Sequence, residues 1–267
     1  MRFSIVTVVK NGFPGIVYTV KSVLNQNFNN YEHIILDSCS NDGTSQVLKK
    51  FRSNKINYER KADKGIYFAL NRSISKAKGE YIINLHAGDF FYSNSTLKKL
   101  DFFLKKYNNI DFFFSNIIYF NKNRVVRLWN IPIKKLNKFS FLKIPHTSLC
   151  IKKEVASNLL YNGMYKISSD TEYLINLSKK YQGKYINVFL IFMEYGGLST
   201  SIKYLIRKIT EDISILKKEF NYLFLLVWFY KILIKTSGFF KNKKFFTLKL
   251  IKQKKIMDDF SLQNYSF

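Results

Sequence analysis

Phe3-Ser-Ile-Val-Thr-Val-Val9, followed by the turn Lys10-Asn-Gly-Phe-Pro-Gly15, is the stretch on which the fold turns. A nearly continuous apolar and β-branched run of this length reads as a strand buried on both faces, as in a parallel sheet covered by helices. Helical spacing follows at Val17, Val20 and Leu24. The alternation then repeats. Tyr31–Asp37 reads as a strand, Ser40–Thr44 as a turn and cap, and the next helix runs to about Phe51. Ile56–Arg60 is a short strand. Gly65–Lys78 is helical, with Ile66, Leu70, Ile74 and Ala77 on one face and Gly79 as its stop, and Tyr81–His86 is a fourth strand. Strands separated by helices imply right-handed crossovers and a mainly parallel sheet. Ligands of such sheets bind beyond the carboxyl ends of the strands. Those ends carry Lys10-Asn11, Asp37-Ser38, Arg60 to Gly65 and His86 to Asp89, four polar segments suited to one site.

Downstream the pattern is mixed. Lys98–Lys106 reads as a helix, Asp111–Phe120 and Arg124–Trp129 as antiparallel strands, and Leu149–Ile151 as a short strand. Asp170–Lys180 reads as a helix, and Tyr185–Tyr195 as a strand ending at Gly196-Gly197. Beyond residue 203 the chain is helical, basic and aromatic. The expected organisation is a catalytic domain over 1–200 and a helical extension over 201–267.

Composition sets the bounds. The 267 residues are 47% hydrophobic and 17% aromatic, enough for a sizeable core and incompatible with wholesale disorder. The formal net charge of +26 suggests contact with a polyanion, an acidic membrane surface or an anionic substrate, and a lysine-rich composition alone gives the same surface. The charge is spread evenly, with 15 basic side chains in 1–100, 15 in 101–200 and 14 in 201–267, so no basic tail marks a nucleic-acid binder. Cys39 and Cys150 make no disulfide framework and fit a reducing compartment. The opening residues read as a strand rather than a signal peptide, so a cytoplasmic location is the expectation.

Several carboxylates stand where chemistry needs them. Asp37 ends a strand and either caps its own turn or accepts hydrogen bonds from a base or a ribose hydroxyl. Asp63-Lys64-Gly65 marks a strand-to-helix handover, where a solvated turn and a phosphate contact at the helix N-terminus are both open readings. Asp89, after an apolar strand, either caps a turn or holds a divalent cation on a diphosphate. Asp170, in Ser168-Ser-Asp-Thr-Glu172, suits a first helical turn and equally suits a general base aimed into a cleft. His146, after Pro145, is a candidate group on the acceptor side.

Taken in order, Ser4–Asn11, Ser22–Gln26, Glu32–Asp37, Ser40–Thr44, Asp63–Tyr67, Ala69–Asn71, Ala77–Tyr81, Asn84–Asp89, Pro145–Ser148, Ser168–Asp170 and Gly196–Ser199 resemble a family 2 glycosyltransferase. The resemblance covers about residues 1–200 and is most specific over the first 90. It implies a GT-A fold: a Rossmann-like, mostly parallel α/β sheet with helices on both faces. It places Thr7 and Asn11 in the nucleotide-binding first loop, Asp37 at the uracil or ribose, and Asp63, Lys64 and Gly65 in the donor-side loop. Asp89 becomes the metal-binding acid, with Mg²⁺ or Mn²⁺ as cofactor, and Asp170 the catalytic base. The implied function is inverting transfer from a nucleotide-diphosphate sugar, a UDP-sugar, to a glycan or lipid-linked acceptor in bacterial capsule, O-antigen or exopolysaccharide synthesis. Ala87 and Gly88 stand before Asp89 where relatives often place a second acid. Phe68 also departs from the family pattern, as does Thr171-Glu172.

Two rivals stand beside this reading. A sugar-phosphate nucleotidyltransferase would show a basic Gly-rich loop after the first strand, which Asn11–Gly15 matches poorly. A non-catalytic basic protein binding membrane or nucleic acid has no need for Asp37, Asp89 and Asp170 in one cleft, and no nucleic-acid partner is expected. Phe220–Ile234 is apolar except for Asn221 and Lys231, too short for a confident span. With the lysines and phenylalanines up to 246 it predicts peripheral docking on the inner face of the membrane, with packing on the catalytic domain or on a second copy in a homodimer as the alternative.

Overall fold

The computed structural model describes residues 1–51, 53–130, 133, 135–137, 139–196, 204–237 and 243–259. The alternating pattern of the first ninety residues becomes β1 (Phe3–Val9), α1 (Gly15–Leu24), β2 (Tyr31–Asp37), α2 (Thr44–Leu48), β3 (Ile56–Arg60), α3 (Ile66–Lys76) and β4 (Tyr81–Asn84). All seven residues of β1 are buried, as the run of β-branched side chains requires. α2 stops short of Phe51, because the amides of Lys50 and Phe51 reach back only three residues, to Val47 and Leu48, in a tightened last turn. Then come β5 (Phe90–Phe91), α4 (Thr96–Lys106), β6 (Phe112–Asn121), β7 (Arg124–Trp129), β8 (Cys150–Lys152), α5 (Lys153–Asn158), α6 (Ser169–Lys180) and β9 (Gly183–Glu194). Among the described residues three α-helices follow: α7 (Leu205–Phe220), α8 (Phe224–Ser237) and α9 (Lys244–Asp258).

Among the described residues the strands form one nine-stranded sheet in the order β3-β2-β1-β4-β8-β6-β9-β5, with β7 hydrogen-bonded to β6. The β3-β2-β1-β4 half is wholly parallel. β8 runs antiparallel between β4 and β6, and β9 lies parallel to β6, so β1 to β4, β6 and β9 share one direction. The hairpin of β6 and β7 is antiparallel, as the sequence pattern predicts.

The side-chain period of two divides the core. Val6, Val8, Ile34, Leu36, Ile82 and Phe114 face a layer that includes α3, α6, α7 and α8. Phe3, Ile5, Tyr81, Ile83 and Phe113 face the layer holding α4, and Val9 and Ile35 pack against α1. Helices therefore cover both faces. Ile215, Leu216, Phe220, Val227 and Ile234 belong to the first layer, so α7 and α8 share their core with the sheet. At one crossing only glycine fits: a Cβ on Gly79 would stand 2.4 Å from the Ser4 nitrogen, where the chain passes β1.

Candidate active site

The carboxyl ends of β1, β2 and β3 are knitted into one rim by backbone-directed hydrogen bonds. The amides of Asn11, Gly12 and Phe13 donate to Ser40 Oγ at 2.8 Å, Thr44 Oγ1 at 2.9 Å and Asp42 Oδ2 at 2.9 Å. Asn11 adopts a left-handed conformation (φ 56°), and its Oδ1 accepts the Asn41 amide at 3.0 Å. Asp63 joins through its amide, which donates to Ser38 Oγ at 3.1 Å.

Asp37 and Asp63 also spend their oxygens on the protein. Asp37 is fully buried. Its Oδ1 accepts the Ser40 amide and hydroxyl, and its Oδ2 accepts the hydroxyls of Ser45 and Tyr58. Burial pushes its pKa up, but these hydrogen bonds outweigh it and hold the carboxyl below the usual range. Asp63 grips the Arg72 guanidinium with both oxygens, at 3.1 and 2.6 Å. Thr7 is also enclosed: its hydroxyl donates to the Leu85 carbonyl at 2.7 Å and lies 2.9 Å from His33 Nε2. Lys64 and Gly65 are exposed, and no side chain among the described residues caps the start of α3 beside them.

The end of β4 is different. Asp89 is buried; its Oδ1 accepts the Glu194 amide at 3.0 Å, while Oδ2 meets no protein partner among the described residues. Burial drives the Asp89 pKa well up, and the neighbouring Glu194 charge adds to it. Glu194 comes from the end of β9. Gly88 is left-handed (φ 94°), and a Cβ there would lie 2.3 Å from Glu194 Oε2. The glycine before Asp89 thus makes room for a carboxylate from another strand. An orphaned buried oxygen, a facing carboxylate and the cradle between them fit a divalent cation, although no cluster of three or more His, Cys, Asp or Glu stands among the described residues.

A chain of aromatic groups leads from here to Asp170. The rings of His86 and His146 stack with centroids 6.3 Å apart. His146 Nε2 lies 2.6 Å from the Tyr161 hydroxyl, which also accepts from Asn84 Nδ2 at 3.1 Å. Asn71 clamps Tyr161 by its backbone, accepting from its amide and donating to its carbonyl, each at 2.8 Å. Tyr161 stacks on Tyr173 of α6 at 4.2 Å. Asp170 stands in the first turn of α6, half-buried, with Oδ1 accepting the Thr171 amide at 2.9 Å and no ion pair among the described residues. Burial lowers the His146 pKa while the Asp170 charge opposes that, and the charges of both Asp89 and Asp170 bear on the Tyr119 hydroxyl, pushed up to about 12 chiefly by burial. Asp170 therefore stands within electrostatic range of His146, and Asp89 and Asp170 both within range of Tyr119.

Sequence reasoning missed Asn71 as a clamp, Asn84 and Tyr161 as a bridge, and Glu194 as the neighbour of Asp89. Only the Ala69–Asn71 and Asn84–Asp89 strings signalled the first two. Gly196 closes β9; the Gly197, Leu198 and Ser199 positions of that motif lie outside the described residues.

The sheet order, with acids at the carboxyl ends of its parallel strands, is that of a GT-A-like fold. Residues 4–155 match Glycosyl transferase family 2, more than half of the chain, and the chain belongs to that family. It is 32% identical over 119 residues to an uncharacterized glycosyltransferase of Rickettsia bellii, covering 44% of this chain and only 17% of that protein. It is 24% identical over 208 residues to the PGL/p-HBAD biosynthesis glycosyltransferase of Mycobacterium bovis, covering 75% and 80% of the two chains. A putative teichuronic acid biosynthesis glycosyltransferase, TuaG of Bacillus subtilis, is 31% identical over 108 residues, 39% of this chain and 42% of that one. Among solved structures, S. aureus TarS 1–349 in complex with UDP-GlcNAc superposes with a TM-score of 0.64 at 16% identity, covering 96% and 80%. The mannosyltransferase PcManGT of Pyrobaculum calidifontis, in complex with GDP-Man and Mn2+, gives 0.60 at 14%, covering 98% and 76%.

Proposed function

We propose that this chain is an inverting glycosyltransferase that moves a sugar from a nucleotide-diphosphate donor, a UDP-sugar, to a hydroxyl of a glycan or lipid-linked acceptor in bacterial surface-polysaccharide synthesis. The observation that carries the reading is the division among the acids. Asp37 and Asp63 are committed to holding the rim, whereas Asp89 keeps an unpartnered Oδ2 and Asp170 makes no ion pair among the described residues. The binding of UDP-GlcNAc by TarS and of GDP-Man with Mn2+ by PcManGT supports a donor of this class.

On this reading the nucleotide lies along the Asn11, Asp37 and Asp63 rim, over Thr7, with its phosphates toward Lys64 and the uncapped amides that follow Gly65. Mg²⁺ or Mn²⁺ held by Asp89, with Glu194 beside it, would offset charge on the departing diphosphate. Asp170 accepts the proton of the acceptor hydroxyl as that oxygen bonds to the anomeric carbon. The bond to the diphosphate breaks on the opposite face, so one displacement inverts the configuration. His146 and Tyr161 line the acceptor side. Residues 1–200 are the transferase domain and 201–267 an extension whose helices α7 and α8 share a core with it.

The extension also supports contact with a membrane. Lys231, the one charge within the apolar run of α8, turns inward to Asp212 at 2.9 Å. Tyr222, Leu225, Leu226, Phe229 and Leu233 are left exposed. No helix among the described residues is long and apolar enough to cross a bilayer. Aliphatic and aromatic side chains at an interface, with lysines around them, suit the head-group region of an anionic leaflet. Lys241, Phe239 and Phe240 of the expected docking segment lie outside the described residues.

The test is release of free nucleotide from a panel of nucleotide-sugars, with glycan and lipid-linked acceptors. The expected outcome is turnover with one donor class, reduced ~10²-fold or more by Asp170→Asn while donor affinity is kept, since general-base catalysis supplies about 10²–10⁴. Normal turnover in that variant would remove Asp170 from the mechanism.

A further inference from the structure

The loop that delivers Asp170 is gathered by a carboxylate from the C-terminal helices. Glu211, in the middle of α7, accepts the amide N–H groups of Lys166 at 3.0 Å, Ile167 at 2.9 Å and Ser168 at 3.0 Å. It is 8% exposed, and Arg207, one turn earlier, pairs with it at 3.0 Å. Three successive amides converging on one carboxylate leave that stretch of backbone little freedom, and bonds to a charged acceptor are the stronger kind. Tyr67 holds the same loop from α3, donating its hydroxyl to the Ile167 carbonyl at 2.7 Å. The residue after Glu211 acts one step further on. Asp212 accepts the Thr171 hydroxyl at 3.3 Å, and Lys231 of α8 donates to the same hydroxyl at 2.9 Å. Both sides of Asp170, from 166 to 171, are thus tied to α7 and α8.

We infer that Glu211 is a positioning residue for the base: by fixing 166–168 it sets where α6 begins and so where the Asp170 carboxylate stands. The inference rests on the reading of Asp170 as the base. It makes the extension part of the catalytic apparatus and gives Glu211 a role that neither substrate contact nor packing describes. A displacement of about 1 Å in a reacting group costs up to ~10²-fold in rate, so a loosened loop should register in turnover before it registers in donor binding.

The test uses the full chain. Glu211→Gln keeps the shape but removes the charge and turns an N–H donor toward the Lys166 amide or the Ile167 and Ser168 amides. The expected result is a kcat lower by ~10-fold, a donor KM within about twofold of the parent, and faster hydrogen exchange at 166–168 in a chain that remains folded. Lys179→Ala, which breaks the α6–α7 ion pair with Glu219 away from the loop, should change none of these. Unchanged kcat in Glu211→Gln overturns the inference, as does unchanged exchange at 166–168, or a loss that Lys179→Ala reproduces. Asp170→Asn separates the two ideas. If it turns over normally, the base assignment falls and this inference with it; if it is inactive while Glu211→Gln is normal, only the role of Glu211 falls.

Discussion

Acid should weaken this protein well above the pH at which carboxylates titrate, and His33 supplies the reason. The side chain is fully buried in β2. Thr7 has one hydroxyl proton and gives it to the Leu85 carbonyl, so the contact with His33 must be Nε2–H donating to Thr7 Oγ1. Nδ1 is left bare, buried and without a partner among the described residues. A second proton would have to enter there with nothing to accept its hydrogen bond, and burial pushes the pKa down to about 3. The unfolded imidazole titrates near ~6.5. Between these values the unfolded chain binds a proton that the native chain refuses, so stability falls as pH drops through that window. From pH 7 to pH 5 the loss from this one group is ~2 kcal/mol, by 1.36 kcal/mol per pH unit with curvature near the unfolded pKa. His86, pushed down to about 4 by burial and by His146, acts in the same direction. Urea unfolding at pH 7, 6 and 5 measures the effect, with His33→Gln as the comparison. Glutamine keeps an N–H for Thr7 and takes no proton. It should be less stable than the parent at pH 7, and the gap should narrow by ~2 kcal/mol at pH 5. Parallel pH dependence in the two proteins would refute the reasoning.

Two further outcomes follow from the site and the surface. Asp89→Ala should abolish the dependence of UDP affinity on Mn²⁺ in calorimetry, and Glu194→Gln should weaken it; a parent whose UDP affinity ignores both metal and chelator would remove the cation from the reading. Full-length protein should float with anionic vesicles at low salt, and Leu225→Glu, Phe229→Glu and Leu233→Glu together should release it without unfolding it, because all three side chains are more than a third exposed. A folded parent that never floats rules out peripheral attachment.

The parallel half of the sheet and its acid-bearing ends were legible in the residues alone. Continuous apolar, β-branched runs and helices of period 3.6 are local signals, and each strand end follows from the turn residues beside it. The sequence therefore located Asp37, Asp63, Asp89 and Asp170, but not which of them keep free oxygens. That depends on partners far away along the chain: Tyr58 on Asp37, Glu194 beside Asp89, and Asn71 reaching Tyr161 across 90 residues. The same holds for the extension. Lys231 read as a polar interruption of a lipid-facing run, yet it points inward, because the buried Asp212 of the preceding helix needs a cation. Glu211 carries no motif at all; its meaning comes from three amides some 43 to 45 residues away that packing brings to its oxygens. Local periodicity is written residue by residue, whereas the use of a lone pair is settled only when distant segments meet and water is excluded. For that reason the division of labour among the acids belongs to the tertiary structure.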